Sequence, residues 1–354
     1  MKCLLAIVAL FSLSATTIDE MVQRRVDAFC KKEGVSGLAA TIVYQDQTAI
    51  GVVKDSIVTH GTISKRSHIA VNGHTLFRIG PLTRSMTGAL LAWMVKEGKT
   101  TLEAPAETCV PRSLPMPSYD GSPIRLVDLA TSTSGLPDMS YDLDTRSAVG
   151  ISKLFRLLRE WHLKEVPGST YFDSNVGYAL LANLLARLGR SDYINLINDT
   201  ILAPLRMIDT TCSPNRDQKR RCAAGYEGEE AILSHLYERR YSAFIGAGGL
   251  FSTADDMKMW LLFNLRIFTG HLAPILPIMH AKRVAIGDGK HVCLGLHADA
   301  LPMGTLYSQG GSQFGYSSHV AFIPEKGCGV AILSNNGLVD MAPLSNELLR
   351  IIMH

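Results

Sequence analysis

No apolar run in the chain approaches the roughly 20 residues that cross a bilayer, and the best one, Leu4 to Phe11 near the start, falls well short. Neither charge dominates: 35 Lys and Arg stand against 32 Asp and Glu, a formal net charge of +3. The concentrated positive field that nucleic-acid binding requires is therefore missing. The densest basic cluster, Arg216 with Lys219, Arg220 and Arg221, is expected to be a solvated loop. There is no His-Glu-x-x-His pair, no phosphate-cradling loop and no dinucleotide glycine motif, which excludes the commonest zinc-hydrolase, nucleotide and nicotinamide chemistries. His291, Cys293 and His297 are near one another in sequence, but their spacing fits no standard zinc site. They are expected to be strand residues, with no metal and no cofactor. No repeat, low-complexity tract or proline-rich linker cuts the chain into separable modules.

With 47% hydrophobic and 19% charged residues, the chain has the composition of an ordinary globular protein with material for a large core. Met1-Lys2-Cys3, the apolar run and the small residues Ser12-Leu13-Ser14-Ala15 make a secretory signal peptide over residues 1–15. The mature chain, 16–354, is then expected to be secreted or periplasmic, without stable membrane insertion and monomeric by default. Six cysteines remain after the signal: Cys30, Cys109, Cys212, Cys222, Cys293 and Cys328. An oxidising compartment favours pairing. A Cys212–Cys222 disulfide is the expectation, because a short polar loop separates the two, whereas the other four read equally well as buried thiols. Asn198-Asp199-Thr200 is a glycosylation sequon if the host is a eukaryote.

Thr17 and Glu20 have capping-box spacing, and Ile18, Met21, Val22, Val26 and Phe29 share one face of the helix that follows. Gly37 to Tyr44 and Ile50 to Val53 read as a strand pair around the polar turn Gln45-Asp46-Gln47. Ser85 to Val95, Ile151 to Leu163 and Val176 to Leu188 have helical spacing, and Gly189 is placed to stop the last. Strands return at Val292 to Leu296, His319 to Ile323 and Gly329 to Leu333, before a closing helix from Pro343 to Met353. The expected fold class is α/β (α+β): an antiparallel sheet built from about 16–75 and 245–354, flanked by terminal helices, with a helical region of about 76–244 inserted into it.

Five ordered segments carry a resemblance. They are Phe77 to Gly88, Leu129 to Pro137, Pro167 to Tyr178, Ala247 to Met257, and Gln309 to Ser318 leading to Ala321 to Gly327. In that order they resemble the landmarks of the class C β-lactamases and the related DD-peptidases, the penicillin-recognising serine hydrolases. The resemblance implies a β-lactamase/transpeptidase-like fold and a cleft that binds a small-molecule, peptide or peptidoglycan-like ligand.

It also implies where catalytic groups should lie, and there the chain departs. A nucleophilic serine and a lysine three residues later share one helix face; this chain has Pro81 and Arg84. Proline is tolerated in a first helical turn, but it brings no hydroxyl, and a guanidinium stays protonated and cannot act as a base. The Tyr-x-Asn motif is here Asp173-Ser174-Asn175, and the third motif's cation is Gln309. Thr83 points away from the cleft, Ser85 lies a turn too deep, and Ser308 and Ser312 read as strand or turn hydroxyls. Asp128 and Asp138 read as helix and turn residues. Arg84 and Asp173 are expected to form an ion pair, which makes either charge tolerable under burial. The expected cleft is Arg84, Asp173, Asn175, Gln309 and Gly311.

Three functions follow. The first is a pseudoenzyme that binds a ligand or partner without acyl-transfer chemistry, since nucleophile, base and proton shuttle are lost together. The second is a repurposed hydrolase or transferase with Asp173 as general base and Arg84 on an anionic group or oxyanion. The third is a purely structural or interaction protein.

Overall fold

The computed structural model describes residues 17–46, 51–110, 114–138, 150–232 and 242–353. The expected signal peptide and the tip of the first hairpin lie outside these residues. Helix α1 (Ile18–Glu33) opens with the capping box between Thr17 and Glu20 and ends on Gly34 in the left-handed conformation, the terminator with no Cβ to clash. It leads into an antiparallel sheet of eight strands: β1 (Gly37–Gln45), β2 (Val53–Gly61), β3 (Val284–Gly287), β4 (Lys290–Val292), β5 (His297–Leu301), β6 (Gly304–Gln313), β7 (Tyr316–Ile323) and β8 (Cys328–Ser334). Their spatial order is β2-β1-β8-β7-β6-β5-β4-β3, so β1 from the beginning of the chain pairs with β8 near its end, Leu38 opposite Ser334.

Both faces of this sheet are covered, which is why β1 is buried along eight of its nine residues rather than alternating. Leu38, Ala40 and Ile42 pack with Val22 and Val26 of α1 and with Leu344 and Leu348 of the closing helix α6 (Ala342–Met353). Ala39, Val43, Val320 and Phe322 join a larger core with Met86, Leu90, Leu181 and Trp260. That second core belongs to the helices α2 (Thr83–Lys96), α3 (Ile151–Glu160), α4 (Asn175–Gly189) and α5 (Ala254–Asn264).

Several boundaries differ from the sequence reading, each for a local reason. The second strand runs from Val53 to Gly61, an edge strand whose residues are mostly only partly buried. Cys293 to Leu296 is a turn between β4 and β5, because Cys293 N closes onto Leu296 O at 2.8 Å. Helix α3 stops at Glu160, as Trp161 turns extended and its indole donates to Gly135 O at 3.1 Å. Helix α4 includes Gly189 and is capped by Arg190 at φ 52°. Strand β6 was expected through the resemblance, as a strand or turn holding Ser308 and Gln309, and it begins earlier, at Gly304. Arg216–Arg220 is a short helix with its own capping box, and Arg221 is paired with Asp209, so this cluster is helical rather than a loop, with Arg216, Lys219 and Arg220 exposed to solvent. The expected Cys212–Cys222 disulfide is not formed; no disulfide joins the described cysteines.

Candidate functional site

A cleft of about 320 Å³ opens between the start of α2, the segment leading into α4, and β6. Pro81 sits in a single 3₁₀ turn, Gly80–Leu82, that feeds directly into α2. The turn is held by Ile79, whose N–H donates to Leu250 O at 2.9 Å and whose carbonyl accepts from Ser318 Oγ at 2.7 Å. Gly311 faces it across the cleft at φ 151°, where a Cβ would lie 2.8 Å from Pro81 Cγ. Only glycine lets the strand pass this close to the proline ring.

Arg84 is 4% exposed, with its guanidinium 5.2 Å from the centre of the Tyr178 ring. Nη1 forms an ion pair with Asp173 Oδ1, and Nη2 donates to Asn175 Oδ1 at 2.8 Å. Asn175 Nδ2 in turn donates to Asp138 Oδ1 at 2.7 Å. The result is a continuous chain Asp173–Arg84–Asn175–Asp138. Ser174 fixes it: its hydroxyl caps α4 by accepting from Gly177 N at 2.9 Å and donates to Pro137 O at 2.8 Å, placing Asp173 just before the helix and Asn175 in its first turn.

Gln309 is buried, donates from Nε2 to Gly295 O at 3.2 Å and accepts from Gly310 N at 2.9 Å. Both ends of its amide are thus held by backbone. The same Gly295, at φ 73°, lies against the Arg84 carbonyl so closely that a Cβ would be 2.2 Å from it. The turn between β4 and β5 is therefore wedged onto α2.

The expected cleft residues Arg84, Asp173, Asn175, Gln309 and Gly311 all line this one cleft, with Pro81 and Ser312. Ser85 does not reach it; the residue is fully buried and its hydroxyl donates to Leu82 O at 2.8 Å. Thr83 is also fully buried, accepting from Leu250 N at 3.4 Å. Ser308 lies along β6 opposite His297, outside the lining residues.

Five lining residues, Asp138, Tyr171, His297, Gly310 and Gln313, were missed. Asp138 read as a turn residue, and is instead tied to Asn175. His297 read as the flank of a strand, and instead packs edge-on against Tyr171 with ring centroids 6.0 Å apart. Burial pulls His297 below the usual imidazole range, opposed by Asp173 and Asp299. Burial, then Asp173, pushes Tyr171 up to about 12. Both rings are consequently uncharged at neutral pH. The three residues weighed as a metal set are dispersed: Cys293 Sγ donates to His280 O at 3.3 Å, and His291 Nδ1 is 3.2 Å from Gly289 O. Among the described residues no group of three or more potential ligands converges. A second groove of about 430 Å³, beside Leu114, Phe155 and Arg187, contains none of the expected site residues.

The sequence profile of the family described as Beta-lactamase matches residues 18–348. The D-alanyl-D-alanine-carboxypeptidase/endopeptidase AmpH of Escherichia coli K12 is 27% identical over 332 residues, covering 89% of this chain and 83% of that protein. A beta-lactamase of Pseudomonas fluorescens is 23% identical, covering 91% of this chain and 94% of its own length. Among solved structures, a class C beta-lactamase superposes with a TM-score of 0.82 at 19% identity, over 96% of this chain and 98% of that one.

Proposed function

Because the chain belongs to the beta-lactamase family, we propose that it is a secreted member whose cleft binds a ligand without serine acyl-transfer chemistry. The observation that carries this reading is the Arg84 guanidinium, occupied by Asp173 and Asn175 where the family resemblance places a catalytic lysine. A permanently charged, ion-paired group cannot take a proton from a nucleophile. Pro81 beside it supplies no hydroxyl. The ligand class is the one the resemblance implies, a small-molecule, peptide or peptidoglycan-like ligand, in keeping with the D-alanyl-D-alanine peptide in the name of the Escherichia coli relative, and export rests on the signal-like residues 1–15.

The test is labelling with a fluorescent penicillin. The wild-type protein is expected to remain unlabelled, and the triple variant Pro81→Ser, Arg84→Lys, Asp173→Tyr to gain covalent label. Labelling of the wild type that disappears on mutating one hydroxyl, Ser312 being the exposed candidate in the cleft, would refute the proposal.

A second reading, in which Asp173 acts as a general base, is favoured by one feature: its side chain is 52% exposed to the cleft despite the ion pair. Turnover on ester, amide or lactone substrates that vanishes in Asp173→Asn would establish it, and no turnover on any of them would remove it.

A further inference from the structure

The second groove, of about 430 Å³, lies apart from the cleft, and its volume is in the range of small-molecule sites, about 300–1,000 Å³. Helix α3 supplies one wall, and the segment at Leu114 and Pro115 and the end of α4 complete it. Its base is apolar. Phe155 is buried there and Leu114 partly buried, while Ile151, the first residue of α3, keeps 42% of its surface exposed. These side chains form one contiguous apolar strip rather than a scatter of single exposed residues.

Three guanidiniums line the same groove. Arg156 and Arg159 are exposed and three residues apart on α3, so their like charges repel. Arg187, in the last turn of α4, donates from Nε to Cys109 O at 3.1 Å. That bond holds the guanidinium in place and leaves its two terminal nitrogens, which bond no described residue. Among the described residues none of the three arginines forms an ion pair, although Glu160 lines the groove with them. An arginine anchored through Nε keeps its remaining fork ready for a planar anion, and less freedom is lost when that anion arrives.

We infer that this groove binds an amphiphilic carboxylate, a single carboxylate on an unbranched apolar chain, at a site separate from the cleft. The carboxylate accepts from the terminal nitrogens of Arg187 and from Arg156 or Arg159, and the chain covers Phe155, Ile151 and Leu114. Glu160 disfavours a head group of higher negative charge. Burying the chain and pairing the head are separate driving forces, so losing either one weakens binding by its own share. The inference is independent of what the cleft binds.

The test uses the full-length protein and three probes: octanoate, with chain and charge; octanamide, with the chain alone; and acetate, with the charge alone. Calorimetric titration at pH 7.5 and low salt gives the affinities, and methyl NMR shifts of Ile151 and Leu114 locate the site. Octanoate is expected to bind about tenfold tighter or more than either other probe, to shift both methyl signals, and to weaken as salt is added. The double variant Arg156→Gln, Arg159→Gln, at two exposed positions, should cost octanoate about fivefold or more and leave octanamide unchanged. Ile151→Ser should weaken octanoate and octanamide alike. Octanoate that binds no tighter than octanamide would overturn the inference. So would undiminished octanoate affinity in the double arginine variant, shifts confined to the cleft, or no binding by any of the three probes.

Discussion

Two polar centres in this protein are built from the same residue types, and they differ in how completely their hydrogen bonds close. One is the cleft chain Asp173–Arg84–Asn175–Asp138. The other lies between the helix Arg216–Arg220 and α5, where Arg221 grips Asp209 with both Nη atoms at 3.0 and 2.6 Å. There Asp256 accepts from Asp209 N at 2.9 Å and Thr210 Oγ1 at 2.7 Å. Thr210 and Ser252 hydroxyls meet at 2.9 Å, and Gln218 reaches Asp209 O at 3.3 Å. None of those side chains is left with a buried, unpartnered polar atom, whereas the cleft retains Arg84 Nε and Gln313 Oε1. A closed network ties chain segments together. An open one keeps capacity for something that is not part of the chain.

The largest expected effect is a pH-dependent change in stability at the closed centre. Burial, tempered by hydrogen bonds from Thr210 and Asp209, pushes the Asp256 carboxyl from 3.8 up to about 6. A raised carboxyl favours the protonated native state, so its contribution to stability is fully present below pH 3.8 and is lost as pH rises through about 6. At about 1.4 kcal/mol per pKa unit this amounts to about 3 kcal/mol. Asp256→Asn imitates the protonated form, so its urea-unfolding free energy should match wild type near pH 4 and exceed it by about 3 kcal/mol at pH 7.5. Ligand binding in the cleft should not change. Parallel curves for the two proteins across that range would show that Asp256 is not held protonated.

The next effect belongs to the open centre and separates stability from binding. Asp173→Ala removes the partner of a buried guanidinium, which costs 3–5 kcal/mol when both partners are buried. Asp173 is 52% exposed, so water screens the exposed half of the pair and Asn175 still engages Arg84; about 1–2 kcal/mol is expected. The dissociation constant of a D-alanyl-D-alanine peptide in the cleft should shift, since the wall loses a carboxylate that lines it. A variant that loses about 3–5 kcal/mol yet binds normally would make the cleft pair a structural feature like its counterpart.

How much of this was legible in the sequence follows the same division. The capping box at Thr17 and Glu20, the packing face of α1, and the helices around Ser85 and Val176 are local patterns, and they stand where expected. Pro81, Arg84, Asp173 and Asn175, which the resemblance singled out, line one cleft. Strand β6 was legible only through the resemblance: Gly304 to Gln313 is rich in Gly, Ser and Gln, with no apolar alternation, and it is held by neighbouring β5 and β7 rather than by its own preference. His297, Tyr171 and Asp138 come from three distant segments and meet only through tertiary packing. The stop at Arg190 overrode Gly189 because Gly189 lies against Leu196, where a Cβ would approach to 2.7 Å, and so is required inside the helix.

The smallest expected change in stability is the sharpest test of what Arg84 does. Arg84→Met conserves much of the volume, keeps the contact with Tyr178 and removes the buried charge. Exchanging a buried ion pair for an apolar side chain is often neutral or slightly stabilising, because two desolvation penalties disappear with one attraction. Unfolding free energy should therefore stay within about 1 kcal/mol of wild type, since Asp173 is half exposed and can be solvated once released. If Arg84→Met instead loses several kcal/mol, measured by the same urea titration as Asp256→Asn, the guanidinium is a keystone of the fold and the two centres are of one kind.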